Sequence, residues 1–312
     1  MISSSPSPDM QPPALDTQAA LAWLRYVAAR LSARAGAGAM HEARLLLALA
    51  LGREAPVLSH EDIAISASVR RELDQLILAR ASGQPISRLR GWREFYGLRF
   101  QLNGATLDPR PDSEVLVDMA LKFAARAFDA NLPLRVLDMG TGTGCLLLSC
   151  LANLPGATGI GADLSAEALQ QAQINAENLG LADRAKFHLS DWDQSLPDIS
   201  TTYDPADGGG YHLIFCNPPY IETGDGDSLS AEVIDHDPHL ALFAGADGLE
   251  AYRLVMPACA RQLAPSGRAF IELGYGQAEA VSRLAAAANL DIVARHDDLA
   301  GICRCLEIQH KG

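Results

Sequence analysis

Lysine is almost missing from this chain: Lys122, Lys186 and Lys311 are the only three in 312 residues. With scattered arginines they give 25 basic against 38 acidic side chains, a net charge of −13. A protein that grips duplex nucleic acid neutralises phosphates with clustered Lys and Arg. The chain is therefore a poor candidate for stable nucleic-acid binding, although a local basic groove stays compatible with its composition. No stretch reaches the roughly 18 unbroken apolar residues of a membrane span. The six cysteines form no CxxC pair and fall mostly in apolar stretches, which suits reduced, buried thiols in a cytoplasmic protein. Cys303 and Cys305 read as core filler on one face of a strand. There is no G-x-S-x-G elbow, no H-E-x-x-H and no Walker sequence. His236 and His239 lack further ligands at metal spacing, so no metal is expected.

Apolar residues make up 48% of the chain, enough for a large core, and the length suggests two domains. The opening MISSSPSPDMQPP has neither a cationic start nor an apolar run, so residues 1–15 are expected to be a disordered leader rather than a signal peptide. Residues 16–85 are Ala/Leu/Arg-rich. Leu21, Leu24, Val27, Ala28 and Leu31 recur at helical spacing, with Asp16 placed as an N-cap and Gly52 and Gly83 as C-terminal caps. This predicts a small all-helical domain. GWREFYGLRFQL, around Tyr96-Gly97, predicts a hairpin within a linker over 86–104. From 105 to 312 short β-rich runs at 134–139, 158–163, 185–190, 212–217, 268–273, 290–295 and 303–308 alternate with helical stretches. That grammar predicts a parallel, doubly wound α/β sheet. The Pro/Gly/Asp-rich insert at 195–210 is expected to be a surface loop.

In such a sheet ligands bind beyond the carboxyl ends of the strands. The first strand ends in LDMGTGTGC, with Gly140, Gly142 and Gly144 placed for tight turning and for close approach of backbone N–H groups to a ligand. The dinucleotide fingerprint G-x-G-x-x-G is not met, because its third glycine would fall on Cys145. A bare glycine-rich turn is the alternative. Asp163 closes the second strand, where a carboxylate can accept two ribose hydroxyls; the alternative is a helix cap, a role open to Ser165. Asp191 and Trp192 end the third strand, one an acceptor for an adenine amino group, the other a flat wall for the purine or ordinary core packing. The fourth strand ends in Asn217-Pro218-Pro219-Tyr220. Two acceptors, the Asn217 side-chain oxygen and the Pro218 carbonyl, suit a planar –NH2 group, Tyr220 can cover its face, and the prolines freeze the turn. A plain strand-ending turn is the competing reading.

The glycine loop looks like that of class I, Rossmann-like S-adenosylmethionine-dependent methyltransferases. NPPY is similar to the motif of those that methylate planar amino or amide nitrogens. LDPRPDSEVLVD (107–118), DHDPHLALFAGADGLEAYR (235–253), IELGYGQAEAV (271–281) and DLAG (298–301) narrow the resemblance to the release-factor glutamine methyltransferases, from about residue 16 to the end. The resemblance implies S-adenosylmethionine as cofactor, S-adenosylhomocysteine as product, and no metal. It implies cofactor contacts at Gly140, Thr141, Gly142, Thr143, Gly144, Asp163 and Trp192, to which the reading of the residues adds Asp191 and, at the cofactor's edge, Asn217. It implies substrate contacts at Asn217, Pro218, Pro219 and Tyr220. The substrate would be the glutamine of the GGQ tip of peptide chain release factors, recognised by a monomer through its helical domain. Ser113, where the family has threonine, and Asp108, before PRP, are departures expected to lie outside the catalytic set. Two rival classes remain: a DNA adenine methyltransferase, which should carry a basic recognition region, and a non-catalytic scaffold, which should show an eroded glycine loop or NPPY.

Overall fold

The computed structural model describes residues 10–129, 132–197 and 209–312. They form two compact units, Met1–Gly91 with Ala231–His236, and Trp92–Ser230 with Asp237–Gly312.

In the first unit the helices Ala20–Ala35, Ala39–Ala50 and Ala67–Ala81 converge on Trp23, Leu24, Leu31, Leu46, Leu47 and Leu73, all fully buried. Of the positions that the helical spacing marks, Leu24, Val27, Ala28 and Leu31 are buried and Leu21 is half-buried. Asp16 does not cap the first helix, which starts at Ala20 with Ala19 at the cap and no side-chain bond there. The Trp23 indole N–H donates instead to the Thr17 carbonyl at 3.1 Å and ties down the entering chain. Ser66 caps the third helix by accepting from the Val69 N–H. Gly52 and Gly83, just past the second and third helices, hold positive φ, as the expected stops require. One segment of this unit comes from far along the chain. The helical turn Ala231–Ile234 presents Glu232 to the buried Arg80 guanidinium at 2.7 Å, while Arg80 also forks onto both carboxylate oxygens of Glu42. A bidentate fork of this kind is among the strongest side-chain pairings.

The second unit opens with a hairpin, β1 (Trp92–Phe95) and β2 (Leu98–Gln101). Tyr96 and Gly97 both take positive φ, the requirement of a two-residue turn whose twist matches its strands. The seven-stranded sheet follows: β3 (Arg135–Met139), β4 (Thr158–Asp163), β5 (Ala185–Leu189), β6 (Tyr211–Cys216), β7 (Leu263–Glu272), β8 (Leu290–Asp297) and β9 (Cys303–His310). Their spatial order is β5-β4-β3-β6-β7-β9-β8. Neighbours from β5 to β7 run parallel; β9 is antiparallel to both β7 and β8. The expected all-parallel sheet is thus mixed at one edge, because the short connection between β8 and β9 permits only a hairpin.

Alternation along β6 divides the core. Leu213 and Phe215 join one apolar cluster with Phe123, Leu147 and Phe270. Ile214 and Cys216 face a second, with Tyr252, Val255 and Ile271. Both faces are covered, so the strand reads as a continuous apolar run. All six cysteines are free thiols, Cys303 half-buried and Cys305 buried. Most of the 195–210 insert lies outside the described residues. β3 has β4 on one side and β6 on the other, with the chain winding outward both ways, so the crevice at a topological switch point falls between the ends of β3 and β6.

Candidate active site

Met139, the last residue of β3, pairs with Cys216, the last residue of β6. The next residues, Gly140 and Asn217, therefore leave the sheet side by side. A Cβ on Gly140 would sit 3.7 Å from the Trp192 ring and 4.0 Å from the Asn217 carbonyl oxygen. A cleft of about 800 Å³ opens at this point. Gly140, Thr141, Gly142 and Thr143 line it together with Asp163, Asp191 and Trp192. Asn217 and Pro219 line it as well, facing an apolar wall that includes Leu107, Leu240, Phe243 and Leu254. Gly144, Pro218 and Tyr220 are not among its lining residues.

The three loop glycines all have positive φ, at 74, 54 and 80°. Their N–H groups do not serve as the sequence suggests. Gly140 and Thr141 both donate to the Ala162 carbonyl, at 2.8 and 2.9 Å, and Gly142 donates to Asp163 Oδ2 at 2.9 Å. These donors are spent on the end of β4. What glycine supplies at 142 is room, since a Cβ there would meet nothing within 4 Å. Gly144 starts the helix Cys145–Asn153, and a Cβ on it would come within 3.0 Å of Leu148 Cδ1, so it serves helix packing. The loop is braced from outside by buried Asn175. Its Nδ2 donates to the Thr143 and Gln101 carbonyls, at 2.9 and 3.1 Å, and its Oδ1 accepts from the Gln101 N–H at 2.8 Å. With partners 32 and 74 residues away, Asn175 carries no sequence signal.

Asp163 holds Gly142 and Ser165 N–H groups with its two oxygens, and burial raises its pKa against those backbone donors. Ser165 Oγ accepts from Ala168 N–H and so takes the helix cap. Asp191 is exposed and accepts from Gln194 at 3.2 Å. Trp192 stands half-buried at φ 53°, an unusual backbone for so bulky a residue and the kind that gathers at functional sites. Asp138, the acidic residue two positions before Gly140, is buried beneath the loop. It accepts from Thr141 Oγ1 at 2.7 Å, and burial pushes its carboxyl up to about 7.

After β6 the prolines split the motif. Pro218 is buried, and the Tyr220 ring packs toward the exit of β7, where a Cβ on Gly274 would be 2.9 Å from its Cδ2. Burial, with Glu272 nearby, pushes the Tyr220 phenol up to about 12. Asn217 Nδ2 lies 3.4 Å from Ser113 Oγ, so the Ser113 departure does touch the candidate catalytic set. Glu272, which the sequence reading leaves unassigned, is buried beside them both. The other departure has a local reason: buried Asp108 accepts from Arg93 at 3.3 Å, and its N–H donates to Asp237, which pairs with Arg110.

The arrangement suits S-adenosylmethionine. Gly142 leaves open space beside the loop, and Trp192 and Asp163 line the same cleft, one with a flat wall for a purine and the other with a carboxylate. Among the described residues no group of three or more His, Cys, Asp or Glu side chains is arranged to hold a metal ion.

Comparisons with known proteins agree with this architecture. The profile of a methyltransferase domain matches residues 133–272, and that of the PrmC N-terminal domain matches residues 22–91. A release factor glutamine methyltransferase of Bradyrhizobium diazoefficiens is 42% identical, over 90% of this chain and 92% of its own length. One from Cereibacter sphaeroides is 39% identical, over 89% of this chain and 94% of its own. Among solved structures, the hMettl16 catalytic domain in complex with the MAT2A 3′UTR hairpin 6 superposes with a TM-score of 0.51 at 16% identity. It covers 75% of this chain and 81% of that one, a likeness of fold. By the extent of its similarity to these relatives, the chain belongs to the release factor glutamine methyltransferase family.

Proposed function

We propose that the chain methylates the side-chain amide nitrogen of the GGQ glutamine in peptide chain release factors, using S-adenosylmethionine. One observation carries the reading: Asn217 and the glycine loop leave paired strands and line a single cleft, in a chain whose relatives are named for this activity. An amide nitrogen is a poor nucleophile because its lone pair is delocalised into the carbonyl. Asn217 Oδ1 and the Pro218 carbonyl accept its two N–H groups, which orients the nitrogen and enriches it in electron density. Most of the available rate enhancement lies in such orientation. Bound S-adenosylmethionine supplies an electrophilic methyl on a sulfonium. The N–C bond forms as the S–C bond breaks, and the surplus proton leaves late to water, so no strong base is needed.

Pro219 keeps the turn rigid, and Tyr220 covers the amide once substrate is seated. Gly140–Gly144, Asp163, Asp191 and Trp192 hold the cofactor without a metal. The helical region 16–85 supplies a recognition surface beyond the cleft, and the protein works as a cytoplasmic monomer. The DNA adenine alternative is disfavoured by the −13 net charge. The test is peptide mapping by mass spectrometry of a purified release factor after incubation with the chain and S-adenosylmethionine. One added methyl on the GGQ glutamine is expected. No methylation, or methylation elsewhere, overturns the reading.

A further inference from the structure

A carboxamide has nearly the same shape after a half-turn, but its two ends do opposite things. Asn217 can accept from a substrate amide only if Oδ1, and not Nδ2, faces the cleft. Cys216 pairs with Ile271, so Asn217 and Glu272, each one residue further on, come off adjacent strands together. Glu272 is 2% exposed. The Ser113 and Asn217 side chains stand close enough to its carboxylate to favour the charged form, and Asn217 Nδ2 lies 3.4 Å from Ser113 Oγ. We infer that Glu272, with Ser113, is a positioning residue that holds the amino end of Asn217 and so reserves Oδ1 for the substrate. This rests on the reading of Asn217 as the amide acceptor.

The chemistry of the groups forces the direction. An ionised carboxylate has acceptors only, and the donors of asparagine are all on Nδ2. Turning the carboxamide over would face Oδ1 toward the oxygens of a buried carboxylate. A buried carboxylate is costly to the fold, the more so because Glu272 Oε2 has no hydrogen-bond partner among the described residues. A fold selected for stability alone would place an uncharged side chain here.

The effect depends on charge, so it depends on pH. The groups facing Glu272 come from every element around it: Asp112 before the helix Glu114–Ala127, Cys145, Cys216 on β6, Tyr220, Tyr252, and Arg304 and Cys305 on β9. Burial pushes the carboxyl up to about 7, opposed by Ser113, Arg304 and Asn217 and reinforced by Asp112. Once protonated, Glu272 can donate to Oδ1, both orientations of Asn217 are satisfied, and the reservation of Oδ1 is lost.

The test is kcat at saturating cofactor and release factor, measured from about pH 6 to about pH 8. For the wild type kcat should rise through about 7. Glu272→Gln, which satisfies either orientation of Asn217, should lose about tenfold or more in kcat and flatten that rise. Its KM for S-adenosylmethionine should stay within about twofold of the wild-type value. Ser113→Ala should lose several-fold and keep the rise, and Ser113→Thr, which restores the hydroxyl, should recover the wild-type rate. Asp138 is also pushed up to about 7, but it contacts Thr141 in the glycine loop, so its ionisation is read in the KM for cofactor and not in kcat at saturation. A Glu272→Gln enzyme at full rate, or one whose kcat still rises, overturns the inference. Should that variant not fold, a flat wild-type profile or a fully active Ser113→Ala enzyme does so instead. Failure of the functional reading looks different: the wild type would then methylate no release factor at any pH.

Discussion

The loop after β3 and the turn after β6 leave the sheet at paired positions, yet the first is held by what lies next to it and the second by what lies far along the chain. Gly140, Thr141 and Gly142 are tied to Ala162 and Asp163, the last residues of the adjacent strand. Asn217 is held by Ser113, 104 residues earlier, and stands beside Glu272 on the next strand. The means differ as well. Three positive-φ glycines turn the chain tightly at one end, whereas two prolines remove freedom at the other. A cofactor site built this way keeps its chemistry when a single contact is lost, although it binds more weakly. A substrate site built on one oriented amide does not.

The largest effect should therefore come from the second end. Asn217→Ala should lower single-turnover methyl transfer by about three orders of magnitude, while calorimetry shows S-adenosylmethionine affinity within a few-fold of wild type. A variant that turns over normally would erase the distinction. Next in size is Asp163→Ala. Losing a charged acceptor for two hydroxyls, at about 1.5–3 kcal/mol per bond at best, should weaken cofactor binding by about a hundredfold. Its kcat at saturating cofactor should stay near wild type, and unchanged affinity in a folded variant would remove Asp163 from the site.

Gly142→Ala sharpens the comparison. A non-glycine residue at φ 54° costs about 1–2 kcal/mol, and its Cβ would stand in open space beside the cleft. Cofactor affinity should fall by about tenfold in a titration, with the substrate's KM unaltered. An unchanged affinity would mean that the space at 142 is not used. The smallest effect is on stability. The folded pKa of Glu272, about 7, lies above its usual 4.5. The fold therefore prefers the protonated form, a contribution fully present below pH 4.5 and lost as pH rises through about 7. Glu272→Gln should melt a few degrees above wild type at about pH 8, with the gap closing toward about pH 5. Equal melting temperatures at both pH values would show that Glu272 carries no burial cost.

The same contrast explains what the sequence discloses. Every sheet strand is readable, because apolar runs and turn residues are local signals, and so is the Tyr96-Gly97 hairpin. The cleft's glycine loop and NPPY turn are readable for the same reason. The supports of Asn217 are not: Ser113 looks like a neutral exchange for threonine, and Glu272 looks like strand filler until β6 and β7 are laid side by side. The use of the loop N–H groups is not legible, because Gly140 and Thr141 donate to the Ala162 carbonyl, a backbone atom any sequence supplies, and Gly142 takes the Asp163 carboxylate that reads as a ribose acceptor. Ala231–His236 carries no local sign that it packs with the helical unit, since Glu232 anchors it through ion pairs to Arg34 and Arg80, far along the chain.

The most direct test of the account is a crystal structure with S-adenosylhomocysteine and a release factor bound. It predicts the glutamine side-chain nitrogen within about 3 Å of both Asn217 Oδ1 and the Pro218 carbonyl, with Asn217 Nδ2 turned to Ser113 and Glu272. A glutamine nitrogen seated away from these two acceptors, or an Asn217 that offers Nδ2 to the substrate, would contradict it.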